Sequence, residues 1–261
     1  MARPCLLLLL TILATLSPSA TAEICSFWDK GCVDPLAQTA IPFKFDPLFL
    51  ETMNFFYAFD ADSQGKGQAP MIKTGFWIGY QASTNNSVIN INRTSEIAVR
   101  VGNLTGTPSG GNNGCDGVWG SSCSNDLKTY LQETILEYVQ NADTYSNPLS
   151  NVIHSFRSTP PILPNCSPTL FEVQNIPVIS FVSEDEDTKK AYVKTHGSPD
   201  DPWESWFIDD MSASDQAQQV AVGIIGRVPA ETAPKPEKES EIQIEIVCAR
   251  APSQGTSSSD G

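Results

Sequence analysis

Histidine is nearly missing from this 261-residue chain, which has only His154 and His196. Neither sits at paired ligand spacing, so a zinc centre built on histidine has no basis here. Positive charge is scarce as well: 16 lysines and arginines face 30 aspartates and glutamates, for a formal net charge of −14. Binding to nucleic acid or to an anionic bilayer through charge needs a basic surface, so that balance argues against both. There is no Gly-x-Ser-x-Gly elbow, no Walker loop and no dinucleotide fingerprint, and the sequence therefore points to no cofactor. Internal repeats are absent too. Past the first residues, no apolar run reaches the roughly 20 residues that a membrane helix needs.

The one long apolar run lies at the start. A single positive charge at Arg3, the block Leu6–Leu16 and then Ala20-Thr21-Ala22 form the three parts of a secretory signal. We therefore expect a signal peptide over 1–22, a single extracellular domain over 23–250 and a disordered polar tail over 251–261. Setting Cys5 aside with the leader leaves Cys25, Cys32, Cys115, Cys123, Cys166 and Cys248. An even number in an oxidising compartment predicts three disulfides. Four sequons agree with that compartment: Asn85, Asn92, Asn103 and the poorer Asn165, whose middle residue is Cys166.

Period-two alternation dominates the middle of the chain. In SVININRTSEIAVRV, residues 87–101, Ile89 and Ile91 alternate with asparagines, and Ile97, Val99 and Val101 with Ala98 and Arg100. This predicts two half-buried strands joined by a turn at Arg93–Glu96. Further strands are expected at 75–81, at 176–182 as an apolar central strand, at 218–228 and at 241–250. In the last, Ile242, Ile244, Ile246 and Cys248 share one parity and point inward. Leu127, Leu131, Ile135 and Val139 form the apolar stripe of a helix over 124–141, capped by Ser124. A weaker helix is expected at 187–194. The fold class is mainly β (α+β): an antiparallel sheet or β-sandwich-like domain with one substantial helix, stapled by disulfides.

The stretch GCDGVWGSSC, 114–123, packs two cysteines and several glycines ahead of that helix. Seven residues separate the cysteines, unlike the Cys-x-x-Cys turn of a redox centre, so the stretch reads as a staple. Short loops close readily, which predicts Cys25–Cys32 and Cys115–Cys123 and leaves Cys166 for Cys248. Trp119 is the residue of that stretch placed to touch a ligand.

Two other stretches carry candidate chemistry. FDADSQGKG, 59–67, sets Asp60, Asp62 and Gly65 at calcium-loop positions, but Met71 stands where a bidentate glutamate is wanted, so no metal is assigned. SPDDPWESWFIDDMS, 198–212, interleaves Trp203, Trp206 and Phe207 with carboxylates, the ingredients of a carbohydrate platform or, with two acids suitably placed, of glycoside hydrolysis. Glu184 or Asp185 at a strand end is a further acidic candidate. Two function classes follow. The favoured one is a non-catalytic extracellular glycoprotein that binds a surface, a cell-wall component or a small ligand through exposed aromatics. The alternative is a secretory-pathway enzyme, such as a hydrolase or a natural-product tailoring enzyme, pairing acids with His154 or His196.

Overall fold

The computed structural model describes residues 25–45, 49–80, 92–173, 175–184, 191–194 and 196–252. Its strands are β1 (Ala37–Phe45), β2 (Phe49–Asp62), β3 (Met71–Tyr80), β4 (Arg93–Arg100), β5 (Val178–Ser180), β6 (Val182–Glu184), β7 (Ala191–Val193), β8 (Glu204–Asp209), β9 (Ala221–Pro229) and β10 (Gln243–Ala249). Helices are α1 (Asp116–Trp119), α2 (Ser121–Asn141), α3 (Pro148–Ser155) and α4 (Ala213–Gln216). Two four-stranded antiparallel sheets carry the fold, in the orders β1-β2-β3-β8 and β10-β9-β4-β5, with β6 and β7 paired separately.

Strand parity explains how three layers form. Met53, Phe55, Tyr57 and Phe59 of β2 and Phe76 and Ile78 of β3 meet Ile97, Val99, Ile225 and Val247 of the second sheet in one core. The opposite parity of the second sheet, Ala98, Val222, Ile224, Ile244, Ile246 and Cys248, packs under the helices in another. Sheets that are covered on both faces read as nearly continuous apolar runs, which is why all nine residues of β9 are buried. The helix stripe Leu127, Leu131, Ile135 and Val139 lies on this second core, as the four-residue spacing predicts.

Several expectations need correction. Arg93–Glu96 is no turn: these residues belong to β4, held between β9 and β5. Residues 87–91, the expected partner strand, lie outside the described residues. The segment 176–182 contributes an edge strand, Val178–Ser180, rather than a central one. It is apolar on both faces because Ile179 packs toward the sheet core and Val178 toward the helical core. Of the weaker helix, 191–193 form strand β7, and 187–190 are outside the described residues.

The disulfides are Cys25–Cys32, Cys115–Cys248 and Cys123–Cys166. Only the first pairing matches the short-loop expectation. GCDGVWGSSC does not close on itself, because α1 turns Cys115 toward the buried parity of β10 while Cys123 enters α2. Asn112 and Asn113, both left-handed with φ 50°, carry the chain alongside β10. There the Cys248 amide donates to Asn113 O at 3.1 Å and Asn113 Nδ2 donates to Ile246 O at 2.8 Å. This loop pairs with an edge strand that would otherwise present open hydrogen-bonding groups. Ser124 does not cap the helix, which begins at Ser121; its hydroxyl is buried, donating to Asp116 Oδ1 at 2.7 Å and accepting from Trp119 Nε1 at 2.9 Å.

Candidate functional site

The aromatic residues chosen from sequence are mostly structural. Trp203 is 4 % exposed, lies edge-on to Phe181 and donates its indole N–H to His196 O at 3.1 Å. Trp119 is half-buried against Ser124, its indole N–H spent on that hydroxyl. Trp206 is 7 % exposed and packs against Phe76, so it offers no open stacking face. Trp206 is packed because it lies on the inward, even parity of β8, and Trp203, just before that strand, is packed against Phe181.

The two histidines of the alternative reading lie on different elements. His154 is exposed on α3 in the helical layer, whereas His196 joins the first sheet through a bridge to Gly79. Asp200, Asp201, Asp209 and Asp210 are exposed. Glu204 is half-buried, and burial raises its pKa against the opposing pull of Lys30 and Lys194. The Glu184 side chain and Asp185 lie outside the described residues. The calcium-like stretch is a hairpin turn between β2 and β3: Asp62 accepts from Gln64 N at 2.8 Å, and Gly65 N donates to Ala69 O at 2.9 Å. Among the described residues, no group of three or more metal-ligating side chains gathers.

Trp206 nevertheless lines a cavity. At the sandwich edge where β8 ends, a cleft of about 150 Å³ opens between the two sheets. Its walls are Val101, Val173, Trp206, Ile208 and Met211, and its rim carries Asn103, Glu172, Asn175 and Asp209. Three separate segments build it. Val101 ends the inward parity of β4, and the chain then turns at Gly102, whose φ of 111° disfavours any side chain. Asn103, at φ 44°, follows with its amide fixed at both ends: Nδ2 donates to Glu172 O at 2.8 Å and Oδ1 accepts from Arg100 Nη2. Arg100 is buried, its Nε donating to Leu170 O at 2.6 Å, and burial pulls its pKa down to about 10. This chain of bonds ties the Leu170–Glu172 backbone to the end of β4 and sets one wall of the cleft.

A second concavity of about 540 Å³ lies at the opposite edge. It is polar and open, with the Lys128–Glu245 ion pair, at 2.9 Å, on its floor beside Asn113. Those groups already satisfy one another, and they clamp α2 to β10 rather than leaving donors free.

Sequence reasoning found Trp206 and, as a sequon, Asn103. It missed Val101, Val173, Ile208 and Met211 as neighbours, since only the folded sheets bring them together. The fold and the cleft define a disulfide-stapled antiparallel β-sandwich backed by a helical layer, with an apolar cleft at one open edge. No family model, curated protein or solved structure matches the chain.

Proposed function

We propose that this is a secreted, N-glycosylated binding protein that acts outside the cell without catalysis. It takes a small, mostly apolar ligand in the cleft beside β8. The observation that carries this is the cleft's composition: an apolar floor of Val101, Ile208, Met211 and the Trp206 ring under four polar rim residues. Concave apolar sites with a few polar groups at their mouths are the usual form of small-molecule sites. Three disulfide pairs suit an oxidising compartment. No helix among the described residues is long and apolar enough to cross a membrane. The leader at 1–22 and the extracellular domain from residue 23 belong to this proposal, and that domain includes Ala251, which is fully buried in the sheet core. So do glycans at Asn85, Asn92, Asn103 and Asn165, of which Asn92, Asn103 and Asn165 are exposed.

The test uses indole, a small, mostly apolar bicyclic probe. At about 0.5 kcal/mol per heavy atom, a Kd on the order of a millimolar is expected. Val173→Phe adds a ring to the half-buried wall and should weaken indole at least tenfold in calorimetric titration. Equal binding by both proteins would place the ligand elsewhere and remove the proposal's basis.

A further inference from the structure

Among the described residues, the exposed large hydrophobic side chains are Trp28, at 41 %, and Ile162, at 91 %. Trp28 stands out because the fold spends unusual resources on holding it in place. It rides a loop closed by Cys25–Cys32, on the outer face of the first sheet. Beneath that loop lies Lys73 of β3, fully buried, whose ammonium donates to Ser26 O at 2.9 Å and to Asp29 O at 3.0 Å. Those carbonyls lie on either side of Phe27 and Trp28. Burying a lysine in a sheet face is costly, and burial lowers its pKa while Asp60, Asp29 and Asp34 act against that shift.

The ring itself is braced. Phe27 meets it edge-on at 5.0 Å and Phe207 lies tilted at 5.7 Å. Ser205 donates its hydroxyl to Lys30 O at 2.5 Å, and Val33 packs so closely that a Cβ on Gly75 would come 2.8 Å from it. Lys66, exposed on the β2–β3 turn, places its ammonium 5.4 Å from the indole centroid. A cross-link, a buried cation and two rings thus fix one partly open indole, and a group ordered in advance loses less freedom on binding.

The open area selects the ligand class. Two-fifths of a tryptophan whose surface is at most about 250 Å² leaves roughly 100 Å² exposed. A stable protein interface takes about 800 Å² from each partner, and among the described residues the only other exposed large hydrophobic side chain is Ile162. An open area of roughly 100 Å² is instead on the scale of one pyranose face. A sugar whose hydroxyls are all equatorial presents a flat face of axial C–H groups, apolar enough to lie on an indole, while its hydroxyls stay at the edge of the ring in contact with water. We infer that Trp28 on the Cys25–Cys32 loop is a saccharide-stacking site for β-linked, equatorial pyranose chains, separate from the cleft beside β8.

The experiment follows the indole N–H resonances of the folded, oxidised protein during titration with cellotetraose and, separately, chitotetraose. Trp28→Phe assigns the signal without removing the ring from the loop. The Trp28 resonance should move with saturation on the order of millimolar for at least one tetrasaccharide. Trp28→Ala should weaken that binding at least tenfold with an unchanged melting temperature, and indole binding in the cleft should persist. Lys66→Ala should retain saccharide binding or tighten it, since the ammonium occupies space over the ring. A Trp28 signal unmoved by both sugars at 10 mM, or a loss of binding in Lys66→Ala, would overturn the inference.

Discussion

Glu96 shows how a single side chain can set the behaviour of a whole layer. It is 1 % exposed on β4, and its carboxylate accepts from Leu149 N at 2.9 Å and Ser150 N at 3.1 Å. It therefore supplies the cap that α3 lacks, since Asn147 makes no side-chain capping bond. Burial pushes its pKa up to about 7, against the two amides that pull it down. A carboxyl whose folded pKa lies above its unfolded value of 4.5 holds its proton more tightly in the native state. Its contribution is complete below pH 4.5 and is lost as pH rises through 7. The difference corresponds to about 3 kcal/mol. Denaturant unfolding of Glu96→Gln should show a shallower loss of stability between pH 4.5 and 7.5 than wild type. Parallel pH profiles would show that Glu96 does not titrate in this window.

At the scale of elements, the helix and the disulfides make opposite demands on the sequence. The apolar stripe of α2 is a local pattern, and Leu131 at its centre is fully buried. Leu131→Ala should cost about 2–5 kcal/mol, whereas Glu133→Ala on the exposed face should stay within about 0.5 kcal/mol; thermal unfolding of both variants compares them. Cysteine partners are not local. Cys115 and Cys248 are 133 residues apart, Cys123 and Cys166 are 43 apart, and Cys25 and Cys32 are 7 apart. On the chain-entropy treatment these bridges contribute about 5, 4 and 2 kcal/mol. Paired serine variants should lose stability in that order. Non-reducing peptide mapping should recover Cys115 with Cys248, and a Cys115–Cys123 peptide would contradict the layer arrangement.

For the whole molecule, legibility followed distance along the chain. The mainly β class, the long helix and the inward parity of Ile242, Ile244, Ile246 and Cys248 were readable because each rests on spacing within a few residues. The edge position of Val178–Ser180 was not, since a strand covered by a sheet on one face and helices on the other is apolar wherever it sits. The cleft escaped detection because its lining comes from Val101–Asn103, from Glu172, Val173 and Asn175, and from Trp206, Ile208, Asp209 and Met211, joined only after folding. Trp28 escaped because a short loop carries no periodicity from which exposure can be read. The secretory proposal also belongs to this scale. Intact mass should correspond to a chain starting near Glu23 with glycans on some of the four sequons and no alkylatable thiol. Retention of residues 1–22, or several thiols labelled under non-reducing denaturation, would count against it.

The cleft beside β8 is proposed to bind small apolar molecules. Backbone amide shift mapping during titration with indole tests it most directly, because it locates the ligand residue by residue. The perturbed amides should cluster at Val101–Asn103, Val173, Ile208 and Met211, and saturate together. Shifts that centre instead on the open groove of Lys44, Thr52 and Asn112, or that grow linearly across the surface without saturating, would contradict it.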